Sequence, residues 1–138
     1  MQIFLSFAFE EDRDQVNGFR GMLDNPAAGI NFNDGSCKKD YAGRPEKEIK
    51  SYIGSLLDQS SVSVCLLSKD SKDSDWIDWE LKASESKNKG IIGIILKDQK
   101  LSPQDMPAFF RERSRYDVIE WDSPEMMHRA IQRAERSR

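Results

Sequence analysis

Histidine and cysteine are nearly missing from this chain: His128 is the one histidine, and Cys37 and Cys65 are the two cysteines. A histidine-based catalytic triad and a multi-histidine metal site are therefore set aside, and two thiols cannot build a four-ligand zinc site. No bound metal is expected, and nothing suggests a disulfide framework. Cys65 falls in an apolar run and reads as a core residue, Cys37 in a polar loop. Neither G-x-G-x-x-G nor G-x-x-x-x-G-K-[ST] occurs, so both phosphate-cradling glycine signatures are missing. No apolar run approaches the ~20 residues of a membrane span. A charged leader with a cleavage site is not visible before the first apolar run, so the expected compartment is the cytoplasm. Basic residues are not in surplus: 21 Lys and Arg face 24 Asp and Glu, a net charge of −3, which gives no electrostatic reason to bind nucleic acid.

What remains is one soluble-type domain, residues 1–138. Strand-like and helix-like runs alternate along it. Ile3 to Phe7 is a first strand, and residues 10–23 carry Val16, Phe19 and Leu23 at helical spacing. Ile30 to Asn33 is a short second strand, followed by a polar loop. Pro45 is suited to the first position of a helix whose apolar face is Ile49, Tyr52, Ile53, Leu56 and Leu57. Residues 62–68 form a buried third strand and 90–96 a fourth, in which two glycines allow close packing. Residues 98–115 read as loop with one short helix. Tyr116 to Trp121 is a fifth strand, and Ser123–Pro124–Glu125 opens a terminal helix that carries His128 on its surface. Apolar strands separated by amphipathic helices predict an α/β fold, a single doubly wound five-stranded parallel sheet of flavodoxin-like order 2-1-3-4-5 with helices on both faces. In such a sheet, functional loops lie beyond the carboxyl ends of the strands.

The most informative stretch is SDWIDWELKASE, residues 74–85. Ser74 is an N-cap candidate, with Asp75 and Asp78 complementing the helix dipole. At ~100° per residue, Trp79, Ala83, Trp76, Ser84, Ile77 and Leu81 share one arc, and Glu80 falls near its middle. An inward glutamate must be buried, paired or facing a cleft, because unpaired burial of a charge is expensive. Two readings stay open: a functional carboxylate and a structural ion pair. Trp76 reads as a core aromatic or a cleft wall, and Trp79 as core or interface. Asp34 precedes Gly35, so it reads as a turn residue or a binding residue. Ser6 and Ser68 read as strand-end hydrogen bonders. A response-regulator receiver would share the fold, and Glu10, Glu11 and Asp12 follow the first strand. The third strand, however, ends Leu67–Ser68–Lys69 without a phosphoacceptor aspartate.

Three segments together resemble a TIR domain, specifically the short bacterial TIR-like proteins of the Thoeris antiphage type. IFLSFAFEED, residues 3–12, is similar to the first TIR strand. NFNDGSCKKDYAG, 31–43, resembles the second strand and the BB loop. VCLLSKDSKDSDWIDWEL, 64–81, is similar to the third strand ending in Leu–Ser, then Ser-x-Trp and a glutamate four residues after the tryptophan. The late Phe–Trp pair of animal TIR domains is not evident, which points away from the animal adaptor subtype.

The resemblance implies an enzyme that cleaves the nicotinamide–ribose bond of NAD⁺, a glycohydrolase or ADP-ribose cyclase acting in antiphage signalling. NAD⁺ is then the substrate, and no cofactor is needed. By the same resemblance Glu80 is the catalytic residue, while Phe7, Ala8, Asp34 and Trp76 line the substrate site. Ala8 departs from the polar or basic residue of many catalytic members. Phosphate contacts are left open among Arg13, Lys38, Lys39 and Arg44. The BB loop, residues 34–44, is the expected surface for self-assembly. Two alternatives remain beside this reading: a non-catalytic interaction module, and a nucleoside-processing transferase of related fold that also uses a single glutamate.

Overall fold

The computed structural model describes residues 1–23, 30–34 and 43–137, without the side chains of residues 9–12, 33 and 34. Cys37, Lys38, Lys39 and most of the BB-loop segment lie outside the described residues. Five strands build the sheet: β1 (Gln2–Ser6), β2 (Asn31–Asp34), β3 (Val62–Leu67), β4 (Gly90–Ile95) and β5 (Asp117–Glu120). All neighbours pair in parallel, in the order β2-β1-β3-β4-β5. The helices are α1 (Phe9–Leu23), α2 (Glu46–Asp58), α3 (Asp75–Ser86), the single turn α4 (Ala108–Arg111) and α5 (Pro124–Arg136). Short 3₁₀ turns at Lys69–Ser71 and Pro103–Asp105 break the longer connections.

Strand alternation sends side chains to two layers. Ile3, Leu5 and Phe7 pack with Val62, Val64, Leu66, Ile92 and Ile94 under α1 and α5. On the other face, Cys65, Leu67, Ile77, Leu81, Ile91, Ile95, Phe109 and Phe110 form a core under α3 and α4. Phe4 packs with Ile49, Ile53 and Leu57 of α2, and Trp76, Trp79 and Ala83 lean on this third cluster. β3 and β4 are buried at every residue, which is why both read as continuous apolar runs. Gly90 is a close-approach position, because a Cβ there would lie 2.8 Å from the carbonyl carbon of Ala134 in α5. Cys65 is fully buried in β3, and His128 is half-buried on α5.

Several boundaries differ from expectation: β1 runs from Gln2 and ends at Ser6, leaving Phe7 outside it, and β3 and β4 each end one residue early. Pro45 is the N-cap of α2 rather than its first helical residue, because its ψ of 140° is extended. β2 runs one residue later than the apolar pattern, since its register pairs Asp34 with Leu5. The terminal strand spans Asp117–Glu120 and leaves Tyr116 and Trp121 outside the ladder. Among the described residues, no helix is long and apolar enough to cross a membrane.

Candidate active site around Glu80

The segment leading into α3 is built from short-range hydroxyl contacts. Ser68 caps the 3₁₀ turn, accepting from the Asp70 amide at 3.2 Å, and its own amide donates to Ser71 Oγ at 2.9 Å. Ser74 then caps α3, accepting from the Ile77 amide at 3.2 Å. These two caps fix where α3 begins, and with it the direction in which each of its side chains points.

Successive inward residues of α3 fan across its buried side. At ~100° per residue the order is Trp79, Ala83, Trp76, Glu80, Ser84, Ile77, Leu81. The first three meet the α2 cluster, and the last two meet the α4 cluster. Glu80 and Ser84 occupy the seam between these apolar clusters, above the carboxyl end of β1 and the middle of β3. Glu80 is fully buried. Ser6, the last residue of β1 and itself fully buried, donates through Oγ to Glu80 Oε1 at 3.0 Å. One turn further on, Ser84 Oγ donates to the Glu80 main-chain carbonyl at 2.7 Å. Ser63 of β3 lies 2.7 Å from Ser84 Oγ, and with that hydroxyl's proton already committed, Ser63 is the donor.

The remaining site candidates fall at different distances from this centre. Trp76 is half-buried and meets Trp79 edge-on, with ring centroids 6.0 Å apart. The two indoles, with Arg44, Ile49, Lys50 and Asp75, line a groove of about 470 Å³ between the amino ends of α2 and α3. Lys50 Nζ sits 5.5 Å from the Trp79 ring centroid and 2.9 Å from Glu46. Glu80 is not among the described residues lining this groove. Ala8 is buried on the Glu80 side of the sheet, in the cluster of Ile77 and Leu81. The Phe7 ring points to the opposite layer, where the Arg20 guanidinium lies 5.8 Å from its centroid. Asp34 closes β2 beside Leu5, one position short of the Ser6 level. Of the basic candidates, Arg44 borders the groove and Arg13 is exposed on α1. The structure thus gathers Glu80, Ser6 and Ala8 on one side of the β1 end, with Trp76 on the neighbouring edge.

Ser6 was not distinguished by the sequence reading as a partner of Glu80. The signal was a single polar residue at an inward position of an apolar strand, which names no partner. The same holds for Ser63 within VSVCLL.

The carboxyl half of α3 is held separately. Glu85 accepts from Arg113 Nε at 2.9 Å and from the Tyr116 hydroxyl at 2.7 Å. The Arg113 hydrogen bond holds the Glu85 carboxyl below its usual value against the opposing effect of burial, with a lesser contribution from the Tyr116 hydroxyl. Arg113 also lies 4.1 Å from the Phe109 ring centroid, and Phe109 stacks on Tyr116 at 5.3 Å. Together these contacts clamp α3 to the segment between α4 and β5.

Comparison with known proteins agrees with this architecture. The TIR domain of the Toll-related receptor TRR-2 from Hydra magnipapillata superposes with a TM-score of 0.63 at 21% identity, covering 97% of each chain, a likeness of fold. A search of curated proteins returns no match. The profile of the TIR-like domain of Thoeris protein ThsB matches residues 4–101, which include the carboxyl end of β1, β3, Glu80 and β4. With more than half its length inside that profile, this chain belongs to the ThsB TIR-like domain family of Thoeris proteins.

Proposed function

We propose that this chain cleaves the nicotinamide–ribose bond of NAD⁺, with Glu80 as the catalytic carboxylate, and thereby makes a nucleotide signal in cytoplasmic antiphage defence. The observation that carries the reading is the buried Glu80 carboxylate at the carboxyl end of β1, bonded to Ser6. The carboxyl ends of the strands are where doubly wound sheets place their ligands.

The chemistry suits a site with one acid. When the C1′–N1 bond breaks, its electron pair goes to the cationic pyridinium ring, so nicotinamide departs neutral and needs no general acid. The demanding part is positive charge on the ribose, as in glycoside hydrolysis. A fixed anion stabilises that charge, and a low-dielectric wall strengthens the effect. Water as nucleophile gives ADP-ribose and a proton. A group of the same molecule gives a cyclic isomer. Trp76, Ala8 and Asp34 belong to the substrate surface in this reading, Phe7 reaches it through its main chain alone because its ring lies in the opposite layer, and residues 34–44 belong to self-assembly.

Incubating the purified chain with NAD⁺ and following nicotinamide release tests the proposal. Wild type is expected to release nicotinamide and Glu80→Gln to release none. Full turnover by Glu80→Gln removes Glu80 from the mechanism. Binding of partner proteins without turnover favours an interaction module, and turnover of nucleosides in place of NAD⁺ favours a transferase.

A further inference from the structure

We propose that Ser6 is a positioning residue of the site: its hydroxyl helps to fix the orientation of the Glu80 carboxylate, while Ser84 and Ser63 fix the backbone that carries it. The inference rests on Glu80 being the catalytic acid.

Six serines and Glu80 make up the buried polar and charged residues among those described. Three of the serines have local duties. Ser68 and Ser71 close the 3₁₀ turn before α3, and Ser60 donates to the Leu56 carbonyl at the end of α2. The other three, Ser6 and Ser63 in the sheet and Ser84 on α3 itself, converge on one residue, through Glu80 Oε1 and through its carbonyl. The spacing makes this convergence exact in register. Ser6 pairs with Cys65 and Phe4 with Ser63, so Ser6 and Ser63 stand two strand positions apart, about 6.6 Å along the sheet. Glu80 and Ser84 are one helical turn apart, about 6 Å along α3. Two strand steps and one turn match, so both hydroxyl pairs close together.

The division of labour follows from rigidity. A glutamate has three side-chain torsions, and a helix alone does not choose among their staggered wells. Ser6 closes β1 and pairs with Cys65 of β3, so its backbone is held by the β1–β3 ladder and its Oγ hangs on a single torsion. An O–H donated to a carboxylate is among the stronger hydrogen bonds. A serine bonded back to the carbonyl four residues earlier tends to bend a helix, and Ser63 ties that point of α3 to β3. If Ser6 only satisfied burial, its removal would cost stability and leave the carboxylate in place.

Crystal structures and steady-state kinetics of Ser6→Ala, Ser6→Thr and Ser63→Ala test this. In Ser6→Ala the Glu80 carboxylate is expected to move by about 1 Å or more, with kcat for NAD⁺ falling about 10- to 100-fold and KM within about twofold of wild type. Ser6→Thr, which keeps the hydroxyl, recovers most of kcat. Ser63→Ala, which loosens the backbone tie but keeps the Ser6–Glu80 hydrogen bond, moves the carboxylate less than Ser6→Ala does. Should Ser6→Ala not fold, Ser6→Cys takes its place as a near-isosteric variant with a weak donor. A carboxylate that superposes on wild type after loss of the hydroxyl, or an unchanged kcat, overturns the proposal. If wild type releases no nicotinamide but the carboxylate still moves, positioning stands and the catalytic reading alone is lost.

Discussion

Ser6 and Glu80, 74 positions apart in sequence, meet at the end of β1 with Oγ 3.0 Å from Oε1. The contact places a carboxylate in the seam between two apolar clusters and supplies it with a donor from a different element. An acid buried this completely is costly unless hydrogen-bonded, and its retention there calls for a use.

Glu80→Gln separates use from structure. Glutamine keeps the shape, and its side-chain carbonyl still accepts from Ser6, while the desolvated charge is gone. Stability in urea is expected to stay within about 1 kcal/mol of wild type or to rise slightly. Nicotinamide release is expected to fall at least about 100-fold. Loss of fold and activity together would instead mark the carboxylate as a structural pillar.

Glu85 sets an acid-side limit on stability. Arg113, and then Tyr116, hold its folded-state carboxyl below the ordinary 4.5. A depressed folded value means the stabilisation is complete above the unfolded value and fades as pH falls through the folded one. Wild type is therefore expected to lose stability below about pH 4.5, and Glu85→Gln to lose less over the same range. Urea midpoints at stepped pH measure both slopes. Arg113→Ala also gives up the face of Phe109, so a cost of about 1–2 kcal/mol at neutral pH is expected.

Much of this arrangement was legible in the sequence, and the misses have physical causes. The sheet order followed from apolar strands separated by amphipathic helices, because a parallel sheet must be covered on both faces. Glu80 read as inward from its angle on the helix, and Ser74 as a cap, because both are local properties. Pro45 sits one position before its expected place, since φ near −65° suits an N-cap as well as a first helical residue. Ser6 was legible only as a strand-end hydroxyl, because side-chain pairing between elements is fixed by packing. One-turn spacing would let Trp76 and Glu80 face one cleft. Four residues turn a helix by about 400°, so the pair diverges by about 40°, and the indole leans to α2 while the carboxylate turns to β1.

Trp76→Ala tests what that divergence means for substrate. Trp76 lines the groove at the amino ends of α2 and α3, and Glu80 is not among the groove's described lining residues. Losing the indole is expected to raise KM for NAD⁺ about 10-fold while kcat changes less than threefold, the signature of uniform binding. A collapse of kcat with KM unchanged would place the indole against the reacting ribose.

Gly90 and Gly93 lie in the same strand, yet alanine is expected to cost differently at each. At Gly90 a methyl group would press on backbone, lying 2.8 Å from the Ala134 carbonyl carbon and 3.0 Å from Glu135 Cα, so α5 would have to shift as a unit. At Gly93 the nearest atoms are side-chain ends, Leu67 Cδ1 at 2.9 Å, Phe110 Cζ at 3.2 Å and Val118 Cγ2 at 3.2 Å, and a leucine methyl can rotate away. Gly90→Ala is expected to cost about 2–3 kcal/mol and Gly93→Ala about 1 kcal/mol or less, read from urea midpoints at constant slope. Gly90 lies three positions below the level that Ser6, Cys65 and Gly93 share, so turnover per folded molecule should stay at the wild-type level in Gly90→Ala. Equal costs at the two positions would mean that α5 yields as readily as a side chain, and that its packing on β4 is looser than the contact distances require.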